Sequence, residues 1–137
     1  MASLLQNNVV ADMYAGNLLS SHTYRMMLVT SAYTPDKDHN RRDDVTNEIS
    51  GTGYTAGGEI CTVTVTADPA NDRTIISISE PSWASATFTA RRAVVYRARG
   101  GAASADELVC TLDFGADKTA TGGTFTTDET TPFYINH

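Results

Sequence analysis

Short runs rich in threonine, β-branched and aromatic residues, each closed off by turn formers, set the strongest limit on how this chain folds. HTYRMMLVT (22–30) is followed by runs at 59–66, 73–79, 86–97, 107–114 and 123–128, with a last one at 132–136. The linkers between them, ADPANDR, EPSWAS and RGGAASAD, are turn-rich, and DPAND between two threonine/isoleucine runs reads as a hairpin. Twenty threonines reinforce the reading, because a branched β-carbon suits a half-buried pleated surface. The pattern predicts a mainly β fold: an antiparallel β-sandwich or barrel of about six to seven strands, with a short N-terminal helix and a long polar loop.

The helix is expected over 1–16. Ser3 and Gln6 fit a capping box, Leu5, Val9 and Met13 recur every four residues, and Gly16 suits the position after the last turn. At 137 residues the chain has the length of one domain, 1–137, and can bury a core without metal or disulfide support. Net charge is −6, so a phosphate backbone repels it and nucleic acid is not an expected partner. The N-terminus lacks a basic region ahead of an apolar one, and no apolar run approaches membrane-span length. Neither a signal peptide nor a membrane is expected.

Tyr33 to Gly58, YTPDKDHNRRDDVTNEISGTGYTAGG, is the polar loop, and its only aliphatic side chains larger than alanine are Val45 and Ile49. A connection of that length is uncommon in a compact domain unless it works or is disordered. Asp36, Asp38 and Asn40 match the start of an EF-hand loop, but Arg41 stands where glycine is needed and Asn47 where glutamate is needed. GTGYTA (51–56) has the letters of a dinucleotide fingerprint without its strand and helix, so its glycines read as turn residues. With charges that nearly cancel and anchors at Tyr33, Val45, Ile49 and Tyr54, residues 31–58 are expected to form an ordered extended arm joining subunits.

No histidine lies in a metalloprotease motif or beside a nucleophile elbow, and there is no CxxC. Catalytic, cofactor-binding and metal-binding residues are therefore all expected to be absent, and the chain reads as a non-enzyme. Alternation points Cys61 inward with Val63 and Val65, and Cys110 inward with Leu108 and Leu112. They read as buried thiols, with a Cys61–Cys110 disulfide as the alternative. Eight of the ten basic residues are arginines, four of them in TARRAVVYRARG: Arg91, Arg92, Arg97 and Arg99. Arginine forks suit interface ion pairs, while a charged, solvated strand edge is the plainer reading. Interface candidates are these four with Tyr33, Asp36, Arg41, Arg42 and Asp44.

TSAYTPDKDHNRRDDVTNEISGTGYTAGG (30–58), TFTARRAVVY (87–96) and LDFGADKTATGGTFT (112–126) resemble a family of small virion structural proteins of tailed bacteriophages. The resemblance implies a virion component, assembled in the host cytoplasm, with no cofactor. Its implied partners are the major capsid protein or other virion subunits, and it is expected to be a homo-oligomer. The acidic charge favours a decorating (cement) position on the outer capsid over a lumenal one. The alternatives are a tail, neck or fibre-associated structural protein, or a host-surface glycan-binding module stacking sugars on Trp83 and the tyrosines.

Overall fold

The computed structural model describes residues 3–127 and 132–137. Two antiparallel sheets face each other, giving a sandwich-like β fold and not a closed barrel. The larger sheet contains β1 (Leu4–Leu5), β2 (Tyr24–Val29), β3 (Glu59–Cys61), β6 (Ser82–Arg97) and β7 (Leu108–Thr126), in the order β1-β7-β6-β2-β3. The smaller contains β4 (Val63–Asp68), β5 (Arg73–Ile78) and β8 (Phe133–Asn136), in the order β4-β5-β8. The run expected at 59–66 is two strands, because the chain turns a corner at Thr62 and passes from one sheet to the other. Backbone and side-chain bonds to Ser79 hold that corner: Thr62 N–H donates to Ser79 Oγ, and Ser79 N–H donates to the Thr62 carbonyl.

The runs at 107–114 and 123–128 are one long strand, β7. Asp113 pairs with Arg92 and Lys118 with Ala90, so residues 114–117 bulge opposite Arg91 alone, with Gly115 at φ +81°. EPSWAS is not purely a linker. Trp83 sits inside β6, opposite Phe125, and the positive φ of Ser85 marks a second irregularity. Asp128, at the end of one expected strand, and the first two residues of the expected helix lie outside the described residues.

The N-terminal helix is shorter than expected. Leu4–Leu5 pair with Thr111 and Cys110 as a strand, and α1 covers only Val9–Tyr14. Ser3 and Gln6 do not form the expected capping box. Ser3 Oγ accepts the Asp113 amide at 2.8 Å, and Gln6 Nε2 donates to the carbonyls of Asp36 and His39 at 2.8 and 2.6 Å. Long-range partners outcompete the local cap.

The main core lies between the sheets, where Trp83, Phe88 and Phe125 form an aromatic cluster with Tyr54 and Phe114 at its margin. Each fully buried large apolar side chain there stabilises the fold by roughly 1.5–3 kcal/mol. A second, smaller core lies on the other face of the large sheet: Met27, Val29, Tyr33, Val94, Tyr96 and Leu108. That explains why β2 is buried almost throughout and does not alternate. Cys110 and Leu112 face the main core as expected, but the irregular pairing near Val109 turns Leu108 to the second one.

Tyr33 and Val45 of the polar stretch join the second core while Ile49 and Tyr54 reach the main one, and here the expected arm is corrected. Residues 31–58 lie along their own sheet. Backbone bonds run from Ile49 to Leu28, Arg42 to Asp106, Leu108 to Asn40 and Thr87 to Thr52. Tyr33, Pro35 and Ile49 are buried. The glycines of GTGYTAGG allow this close crossing. A Cβ on Gly53 would stand 2.9 Å from Ala86 Cα, and one on Gly58 would stand 1.8 Å from the Met26 carbonyl oxygen.

Candidate functional site

The interface candidates come together in three places, and in each they bind their own chain. On β6, Arg91 and Arg92 flank Asp113, at 3.4 Å (Arg91 Nε–Oδ1) and 3.5 Å (Arg92 Nε–Oδ2). Arg92 Nη1 also donates to the Tyr33 carbonyl. Burial pushes the Asp113 carboxyl up, but the Gly115 amide, Arg92 and Arg91 together outweigh it and hold it below its ordinary value. At the other end of β6, Arg97 donates to the Asn17 carbonyl at 2.8 Å. Arg99 meets Glu107 in a two-point fork of 2.8 and 2.6 Å, which holds the Glu107 carboxyl below its usual range.

Within the polar stretch, Arg42 Nε donates to Asp106 at 2.8 Å, and its guanidinium carbon stands 5.1 Å from the Tyr96 ring centroid. Asp44 Oδ2 accepts the amides of Asn40 and Arg41, and the Asn40 amide leads in lowering its pKa. Asp36 Oδ1 accepts the Asp38 amide, an Asx turn. Tyr33 is buried, with its hydroxyl 2.9 Å from His39 Nδ1. Its pKa is pushed up to about 12, first by burial and then by Asp44 and Asp36. The partners Asp106, Glu107 and Asp113 carried no signal in sequence, since only the fold brings them to these arginines.

Beside this network, Arg25, Arg42, Glu48, Gly57, Tyr96 and Asp106 line a cleft of about 240 Å³. Glu48 Oε2 accepts the Tyr54 hydroxyl at 2.5 Å and the Gly57 amide at 2.7 Å, and Tyr96 donates to the Gly57 carbonyl at 2.6 Å. Burial, and then the bond to Glu48, raises the Tyr54 pKa. With the Leu28 amide donating to the Tyr54 hydroxyl and Arg25 to the Gly58 carbonyl, these bonds fasten residues 54–58 to β2 and β6, so the polar groups of the cleft serve the fold. Among the described residues, no three His, Cys, Asp or Glu side chains are grouped to hold a metal ion.

The two cysteines are buried thiols, and the alternative disulfide is not formed. Register gives the reason. Cys61 on β3 and Cys110 on β7 are separated by β2 and β6, so three strand spacings, roughly 14 Å, lie between their backbones. A disulfide needs Cα atoms about 4.4–6.8 Å apart. Burial pushes the Cys61 thiol up to about 12 and Cys110 well above its ordinary value. Trp83 is only 1% exposed and meets Phe125 edge to face, so it offers no stacking surface to a sugar.

What the network leaves outside is an apolar face around α1. Val9 anchors the helix in the core, while Val10 and above all Tyr14, 92% exposed, turn outward. With Met13, Thr74, Ile135 and His137 they line a depression of about 430 Å³. Met13 also borders a second depression of about 180 Å³, with Leu18, Leu19, Ser20 and Val65. Among the described residues, no Asp, Glu, Lys or Arg side chain lines either hollow.

Searches against protein-family models, curated proteins and solved structures found no match to this chain.

Proposed function

We propose that this chain is a structural protein of a bacteriophage virion that decorates and stabilises the outer surface of the capsid. Its partner on this reading is the major capsid protein. The observation that carries the proposal is a surface division. The arginines and their carboxylates are spent on the chain's own fold, and the apolar face around Tyr14 is left for contact. Exposed uncharged apolar faces rimmed by polar surface are characteristic of protein–protein contact. The acidic net charge supports an outer position, away from packaged DNA. The phage-protein resemblance of 30–58, 87–96 and 112–126 supplies the setting.

The test is to add purified protein to heads assembled without it. Decoration predicts saturable binding at regular icosahedral sites, and heads that resist heat better once coated. A copy number of a few dozen or fewer per particle would overturn it and place the chain in the neck or tail.

A further inference from the structure

We propose that the cleft beside Tyr96 binds a carboxylate, held between the guanidinium groups of Arg25 and Arg42. Tyr96 brings the two together. Arg25 on β2 is its cross-strand partner, and the Arg42 guanidinium carbon stands 5.1 Å from its ring centroid. Both positive charges reach the Tyr96 hydroxyl: burial pushes its pKa up, and Arg42 and then Arg25 draw it back.

The fold uses only part of what these side chains offer. Arg25 donates through Nη1 to the Gly58 carbonyl at 3.0 Å, and Arg42 through Nε to Asp106 at 2.8 Å. Among the described residues, Arg25 Nε and Nη2 and both terminal nitrogens of Arg42 have no hydrogen-bond partner. The other charges of the cleft are matched, Asp106 by Arg42, and Glu48 by the Tyr54 hydroxyl and the Gly57 amide. Arg25 is left half-buried with no carboxylate on it, where a missing partner costs more than in open water.

The donors select the ligand. A guanidinium is a planar fork that meets a planar carboxylate in two-point geometry. With Glu48 and Asp106 on its wall the cleft tolerates one added negative charge better than the two of a phosphate. Its 240 Å³ equals roughly eight waters at about 30 Å³ each, room for a carboxylate and the first carbons behind it. Gly100 and Gly101 border it, both exposed, and a Cβ on either would meet nothing within 4 Å, so that side is open. A small organic acid and an acidic side chain of another protein present the same group.

The test titrates the purified, isotope-labelled chain with sodium acetate, and separately with sodium chloride at equal ionic strength, by nuclear magnetic resonance. Acetate is expected to give saturable shifts at the Arg25 and Arg42 side-chain N–H groups, with the millimolar Kd that suits so small a ligand. Arg25→Gln is expected to weaken binding at least about tenfold, the loss of a charge-assisted bond. Gly101→Glu puts a competing carboxylate where a side chain meets no neighbour, and is expected to weaken binding similarly with an unchanged thermal midpoint. Arg73→Gln, on the small sheet, is expected to change nothing. A blocked glycyl-glutamyl-glycine peptide separates the sources: binding at least about tenfold tighter than acetate supports a protein side chain, and equal binding supports a small acid. Shifts no larger than chloride gives, binding indifferent to both cleft variants, or tighter binding of inorganic phosphate than of acetate overturns the proposal. Any of these leaves the capsid reading standing, since that rests on the α1 face.

Discussion

Replacing Gly58 with alanine tests whether the polar segment is held by close backbone contact. Gly58 has φ +81° and Gly100 has φ +82°, so alanine meets the same left-handed penalty at both, about 1–2 kcal/mol. Their surroundings differ completely. A Cβ at Gly100 meets nothing within 4 Å, whereas at Gly58 it would stand 1.8 Å from Met26 O and 2.8 Å from Met27 Cα. Those are backbone atoms of β2, paired on both sides, so the crossing segment must lift away. Overpacking of that kind costs about 1–3 kcal/mol more. Gly58→Ala is therefore expected to cost about 2–5 kcal/mol, against about 1–2 for Gly100→Ala. Gly53→Ala, whose nearest contact is 2.9 Å, should fall between them. Equilibrium urea unfolding, followed by Trp83 fluorescence and far-ultraviolet dichroism, reads the difference as a shift in midpoint at constant slope. Equal costs at Gly58 and Gly100 would refute the reasoning.

Asp113→Asn should destabilise the fold by about 3 kcal/mol at neutral pH, because it leaves Arg92 buried without its counter-ion. The folded Asp113 pKa lies below 3.8, so its stabilisation is present above that value and is lost as pH falls through the folded pKa; acid unfolding of the variant should flatten there. Cys61 and Cys110 should resist a thiol reagent in the native state and both react in denaturant; fast native labelling of either would contradict their burial. Trp83→Ala should cost about 3–5 kcal/mol by calorimetric or denaturant unfolding, since it empties the aromatic cluster between the sheets.

The strands were legible where their cause is local. Period-two patterning and turn residues located the β-runs, and the hairpin at DPAND is the β4–β5 connection. Reading failed where distant groups decide. Ser3 and Gln6 have the letters of a cap, but Ser3 bonds Asp113, 110 residues away in sequence. The FGAD bulge looked like a break between two strands, because pairing with β6 resumes only beyond it. The candidate arginines were visible as a cluster, whereas Asp106, Glu107 and Asp113 are placed beside them only by the β6–β7 ladder and the crossing segment. The Tyr14 face was likewise hidden. A single apolar helix face does not reveal which of its residues the core accepts.

Laying residues 31–58 across the large sheet has a consequence for recognition. A segment that became ordered only on docking would draw roughly 1–2 kcal/mol per residue from the association itself. Here Gln6, Glu48, the Asp106–Arg42 pair and the glycine crossings already fix that segment within the lone chain. Contact with any neighbour then begins from a rigid surface, so a modest apolar face can hold its partner without also having to fold the protein.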